Sequence, residues 1–172
     1  YYDMQFDHNL IAQIIEVRRL FEPEIAGLAA KQRNQNDLSD IQDNIELFKV
    51  CNPDNIQLEA DLDNKFHLLI AKATHNPIVQ ISMEPIYSLL PRMRNLIYAN
   101  VEGEKDITLE YHLKIFDAIN KQKSRQLRER SYRRIYFLFY RKNQLNKRVT
   151  KQAIRLFACG TRQGTLLRIR EA

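Results

Sequence analysis

Apolar side chains recur at intervals of three and four residues along most of this 172-residue chain. The clearest run places Leu38, Ile41, Ile45 and Phe48 on one face. That spacing is typical of an amphipathic α-helix packed on a core. No alternating apolar and polar pattern of a β-strand continues for a useful length. The pattern therefore predicts an all-α protein, an antiparallel bundle of about six to seven helices with short connections.

The first predicted helix covers residues 9–32. Pro23 has no N–H and clashes with the preceding turn, so we expect the helix to kink or restart there. The apolar face expected for this helix consists of Leu10, Ile14, Val17, Phe21 and Leu28.

Capping residues mark where the next two helices begin. Asn36 or Asp37 is expected to cap the second helix, and Asp54 or Asn55 the third, over residues 56–74. The apolar face expected for the third helix consists of Leu58, Leu62, Phe66, Leu69 and Ala73.

Three further helices complete the predicted bundle. The first covers residues 77–99, with bends at Pro85 and Pro91. A helix over about 106–121 follows, and a last one runs from about residue 123 into the 140s.

Composition agrees with a helical domain. The chain has 4 Gly and 5 Pro, and residues that favour helix dominate. No apolar run approaches the roughly 18 residues needed to cross a bilayer, and no signal-peptide pattern opens the chain. Its two cysteines form no disulfide framework, which favours a reducing compartment. We therefore expect one cytoplasmic domain without membrane contact.

Charge is unevenly distributed along the chain. Residues 1–120 hold 11 Lys and Arg against 19 Asp and Glu, whereas residues 121–172 hold 16 against 2. An acidic body argues against spread-out nucleic-acid binding by that part. The basic end could contact phosphate, but a solvated helix rich in Lys and Arg is the commoner explanation.

The candidate chemistry starts from Asp63 and His67, four residues apart in a predicted helix. Residues i and i+4 share a helix face, so a carboxylate oxygen and an imidazole nitrogen can converge. His112 lies on the apolar face of a later helix and can join them. One Asp and two His are an ordinary ligand set for a divalent transition metal. The same spacing equally serves an Asp–His hydrogen bond without metal, and both interpretations stay open at this point.

Three segments resemble the FCD domain, the ligand-sensing part of GntR-type bacterial repressors. They are VRRLFEPEIAGLAA at 17–30, DNKFHLLIAKATHNP at 63–77 and YHLKIFDAI at 111–119. They follow the family's order, and the resemblance covers about residues 10–140. It implies an all-helical bundle in which one Asp and three His hold a zinc- or nickel-like divalent metal. A small carboxylate effector would bind on or beside that metal.

By that resemblance Asp63, His67 and His112 fill three of the four metal-ligand positions. The fourth position is occupied by Arg134. A guanidinium stays protonated and has no lone pair for a metal. Either Arg134 turns outward and leaves a weaker three-ligand site, or it pairs with Asp63 or an anionic effector and no metal binds.

Three residues are candidates for effector binding: Arg18, Asn76 and Arg92. Arg18 matches an arginine in the first sensor helix of the family, and its fork of N–H donors suits a carboxylate. A surface pair with Glu22 explains Arg18 equally well. An Asn-Pro turn explains Asn76 without a ligand, and Arg92 lies on a helix that can face the pocket.

We interpret residues 1–145 as the effector-binding and dimerisation domain of a GntR-type transcriptional regulator, not an enzyme. A small organic acid is expected to bind at the metal-assisted pocket and to modulate DNA binding by a homodimer. A winged helix-turn-helix that reads DNA would precede Tyr1. Residues 146–172 form an atypical basic extension of unknown role.

Three alternatives stay open. A metal-free sensor of a larger anionic effector, such as an acyl-CoA, fits the replaced fourth histidine. A metal-dependent hydrolase could use the same three ligands, but Glu110, which neighbours His112, points to a different helix face and is no convincing general base. A plain helical interaction module would need only a buried hydrogen-bonded set.

Overall fold

The computed structural model describes residues 8–89, 91 and 104–128, and within these ranges every regular element is a helix. The all-α prediction is confirmed. None of the helices in these ranges is both long and apolar enough to span a membrane. The helices whose bounds fall within the described ranges are α1 (His8–Gln32), α2 (Gln35–Val50), α3 (Ile56–Lys72), α4 (Pro77–Tyr87), α5 (Glu104–Asn120) and α6 (Ser124–Arg128).

Capping side chains set the starts of α2 and α3. The Asn34 side chain accepts a hydrogen bond from the Asp37 N–H (3.0 Å), and the Asp37 carboxylate accepts one from the Asn34 N–H (2.8 Å). This reciprocal pair is a capping box. The cap of α2 is therefore Asn34, and the prediction of Asn36 or Asp37 is wrong. Asn55 caps α3, one of the two residues expected there.

Pro23 lies inside α1, and the helix continues through it. The helix therefore does not restart at Pro23, and the other expected outcome, a kink, stays a prediction. Packing of the buried alanines that follow holds the helix together where one backbone hydrogen bond is missing. α4 ends at Tyr87, and residues 88–89 form a turn. The single helix predicted over 77–99 is therefore interrupted after Tyr87. Residues 92–103 lie outside the described ranges.

The directions of the helices follow from the ion pairs that join them. Asp40, near the start of α2, pairs with Lys72 at the end of α3 (3.1 Å), so these two helices are antiparallel. Lys105, near the start of α5, pairs with Glu59 near the start of α3 (3.6 Å). α3 and α5 therefore run in the same direction.

The main core lies between α1, α2, α3 and α5. Arg33, just after α1, donates to the Asn120 carbonyl at the end of α5 (2.7 Å), which aligns those two helices. The face predicted for α2 is confirmed, since all four of its residues are buried. In α3, Leu58 is 40% exposed and lies off the buried face. The fully enclosed apolar residues include Ala29, Ala30, Ile41, Ile45, Ala60, Phe66, Ala71, Ile119 and Leu127.

Candidate metal and effector site

The three candidate metal ligands meet inside the core. Asp63 and His67 come from adjacent turns of α3, and His112 comes from α5. Each of the three is at most 3% exposed. One ligand atom from each lies within 4.8 Å of the other two. The fold therefore brings His112, from a helix distant in the sequence, next to Asp63 and His67 and away from solvent.

The donor atoms are close enough to suit a divalent ion. Oδ1 of Asp63 lies 3.2 Å from Nε2 of His112 and 3.9 Å from Nε2 of His67. Metal–ligand bonds of about 2.0–2.2 Å place neighbouring ligand atoms roughly 3.0–3.5 Å apart. One carboxylate and two imidazoles thus fit such an ion after small rotations of the rings.

Aromatic side chains enclose the two imidazoles. The Phe66 ring stacks on the His112 ring with centroids 3.7 Å apart, and Phe48 lies on another side at 5.3 Å. The Tyr87 ring lies 5.9 Å from that of His67. These contacts pack the two rings away from solvent, where charge interactions are stronger than in water.

Arg18 and Glu22 also belong to this site. The two residues form a pair, but the alternative that this pair lies on the surface is wrong. Their side chains are 1% and 2% exposed, whereas Phe21 between them is 51% exposed. The predicted apolar face of α1 is therefore wrong at Phe21. Pattern analysis assigns charged residues to solvent, but a pair four residues apart on one helix can be buried together.

Arg18 connects the pair to the metal ligands. Its Nε donates to Oε1 of Glu22 at 2.5 Å. Its Nη2 lies 2.8 Å from Nε2 of His67. Because a guanidinium has only donors, Nε2 of His67 must be the acceptor. The cationic fork therefore contacts the same imidazole nitrogen that faces Asp63.

Glu22 is the site residue that sequence analysis missed. Its Oε1 lies 3.5 Å from Nδ1 of His67, the nitrogen that carries the proton when Nε2 accepts. A carboxylate behind a histidine favours the tautomer that a metal ligand needs. Its signal in the sequence was the spacing of opposite charges, Arg18 and Glu22, inside an apolar run.

Of the remaining predicted site residues, the structure describes Asn76 alone, and it lies outside this cluster. Asn76 is exposed and caps α4, where its side chain accepts from the Ile78 N–H (3.0 Å). Its effector-binding role stays a prediction. Arg92, Arg134 and the extension at 146–172 lie outside the described residues.

Together the helical fold and the enclosed carboxylate–imidazole set define a helical domain with a buried group of residues that could hold a metal ion. A family model described as the FCD domain matches residues 13–136. The chain belongs to the FCD family, the ligand-sensing domain of GntR-type transcriptional regulators.

Relatives of the chain are transcriptional regulators rather than enzymes. It is 32% identical over 118 residues to the galactonate operon transcriptional repressor of Escherichia coli K12, covering 68% of this chain and 51% of that protein. It is 32% identical over 131 residues to the uncharacterized HTH-type regulator YcbG of Bacillus subtilis, covering 73% and 51%. The chain therefore spans about half the length of these relatives.

A solved structure has the same fold. The Streptococcus agalactiae GntR structure superposes with a TM-score of 0.64 at 20% sequence identity. The match covers 82% of this chain and 62% of that one. At this identity the likeness shows the fold alone.

Proposed function

We propose that this chain senses a small organic acid at the enclosed site and thereby modulates DNA binding by the regulator to which it belongs. The observation that carries the proposal is the buried guanidinium of Arg18 beside the cluster of Asp63, His67 and His112. A carboxylate needs a cationic, hydrogen-bonding partner when it leaves water. An arginine fork next to a metal-type ligand set provides that chemistry.

In this proposal Asp63, His67 and His112 hold a zinc- or nickel-like divalent ion. The ion supplies positive charge and open positions that attract a carboxylate. Three protein ligands leave room for the acid, and Arg134 at the position of the fourth ligand weakens the site. Glu22 keeps the His67 ring oriented from behind.

The coupling to DNA belongs to the whole protein. We propose a cytoplasmic homodimer in which a winged helix-turn-helix, outside this sequence, reads the operator. The acid binds one arrangement of the helices better than another and so shifts the population between them. One relative is named for the galactonate operon, and galactonate is a small hydroxy acid, so it is a reasonable first candidate effector.

A thermal-shift screen tests the proposal. Acetate, succinate and galactonate are added to the chain with and without zinc. A ligand that binds the folded state alone stabilises it by about 2.7 kcal/mol at a hundred times its dissociation constant. We expect at least one acid to raise the melting temperature, and zinc to increase the effect.

Asp63→Ala and Asp61→Ala form a matched pair for this screen, because Asp61 is exposed on the same helix. The zinc-dependent shift should disappear in Asp63→Ala and persist in Asp61→Ala. No shift with any acid, or equal shifts in both variants, would contradict the proposal. Stabilisation by an acyl-CoA but not by zinc would favour a metal-free sensor of a larger anion.

A further inference from the structure

We infer that Arg18 and a metal ion compete for a single atom, Nε2 of His67, so that metal binding releases Arg18 for the carboxylate. The inference rests on the proposed function and specifies how its two ligands are coupled.

The competition follows from the chemistry of the imidazole. Nε2 of His67 accepts from Nη2 of Arg18 at 2.8 Å. The same nitrogen faces Oδ1 of Asp63, which places it on the side where the ligand atoms converge. An imidazole nitrogen has one lone pair, in the plane of the ring. That lone pair serves either the guanidinium or a metal, and one excludes the other.

Glu22 holds both residues through atoms outside the competition. Its Oε1 contacts Nε of Arg18 and lies 3.5 Å from Nδ1 of His67. Loss of the Nη2 contact therefore leaves Arg18 anchored by Nε, and His67 keeps the tautomer in which Nε2 is free to bind metal. Glu22 is therefore a positioning residue, which holds Arg18 and His67 in place while Nε2 of His67 exchanges the guanidinium for the metal.

Release of Arg18 has a consequence for the acid. The N–H group of Nη2 that leaves Nε2 of His67 remains next to the metal position, where it can donate to a carboxylate. Metal and carboxylate then favour each other's binding, and the effect is reciprocal, as linkage requires. Before that release, this N–H group donates to Nε2 of His67.

Calorimetric titration of zinc into the metal-stripped chain tests the inference. Arg18→Met removes the competing donor and a nearby positive charge. We expect it to tighten zinc binding roughly tenfold or more, since a hydrogen bond to a charged group contributes about 1.5–3 kcal/mol. Arg19→Met is the control, because Arg19 is exposed on the same helix. The zinc affinity of this variant should stay within about twofold of that of the parent chain.

A second titration measures the coupling. Acetate is titrated with and without saturating zinc into the parent chain and Arg18→Met. In the parent, zinc should tighten acetate binding by about fivefold or more, within the usual range of coupling. In Arg18→Met this gain should shrink, because no guanidinium is released. Zinc affinity that is unchanged or weaker in Arg18→Met overturns the inference.

Arg18→Met leaves the buried Glu22 carboxylate beside an apolar side chain, so a paired variant controls for misfolding. Arg18→Met combined with Glu22→Gln is compared with Glu22→Gln alone, and the same tightening of zinc binding is expected. If a carboxylate ligand stabilises the parent chain but Arg18→Met has an unchanged zinc affinity, the inference is overturned while the proposed function survives. Absence of zinc binding in every variant overturns both the inference and the metal part of the proposed function.

Discussion

Five ionisable side chains are buried beside one another at the centre of this bundle: Arg18, Glu22, Asp63, His67 and His112. Removing charges from water costs several kcal/mol for each ion, and good pairing offsets that penalty. The observed contacts link the five in a continuous set across three helices. A substitution of any one of the five is therefore expected to change both the stability of the domain and ligand binding at the site.

Glu22→Ala is expected to destabilise the chain strongly. It removes the carboxylate that contacts Arg18 and leaves a buried guanidinium without that partner, a change that costs about 3–5 kcal/mol in comparable pairs. Urea denaturation measures the free energy of unfolding. Glu16→Ala, an exposed position on the same helix, should change it by less than about 0.5 kcal/mol. Equal effects of the two substitutions would show that the buried pair is not coupled to stability.

Arg134→His is expected to tighten zinc binding. By the family resemblance this position holds the fourth metal ligand, and a histidine there would supply a lone pair in place of a positive charge. Arg133→His is the control, because in the helix that the sequence predicts for this segment neighbouring positions face different directions. Zinc titration should show tighter binding for Arg134→His and an unchanged affinity for Arg133→His. If neither variant changes the affinity, the placement of Arg134 at the site is wrong.

The buried face of a helix is predicted better from this sequence than the residues at which the helix begins and ends. The spacing of Leu38, Ile41, Ile45 and Phe48 correctly predicts the buried face of α2. The face of α1 is predicted less well, because a periodicity of apolar residues cannot anticipate that Arg18 is buried. Burial of a charge depends on partners from other helices, here His67, which one helix alone does not reveal.

Asn34→Ala tests the capping box at the start of α2. Loss of a side-chain acceptor at an N-cap costs about 1 kcal/mol. We expect the free energy of unfolding in urea to fall by about that amount. Gln35→Ala, an exposed position in the first turn, should have little effect. If both variants are equally stable, the cap contributes nothing and α2 is held by packing alone.

The site connects α1, α3 and α5, which run in the same direction through the molecule. Asp63 and His67 on α3 face His112 on α5 and Arg18 on α1. A ligand that changes these contacts would shift the helices relative to one another, which is the type of change a sensor needs. The convergence of Asp63 with His67 could be predicted from helix geometry, whereas the approach of Arg18 required the packing of the whole bundle.

The most direct test of a metal-type sensor site is a crystal structure of the chain soaked with zinc, with anomalous scattering recorded at the zinc absorption edge. We predict an anomalous peak about 2.0–2.2 Å from a carboxylate oxygen of Asp63 and from Nε2 of His67 and His112. Nη2 of Arg18 should then no longer contact His67. A saturated crystal with no peak between these three residues, or with zinc only at the surface, would contradict the proposed site.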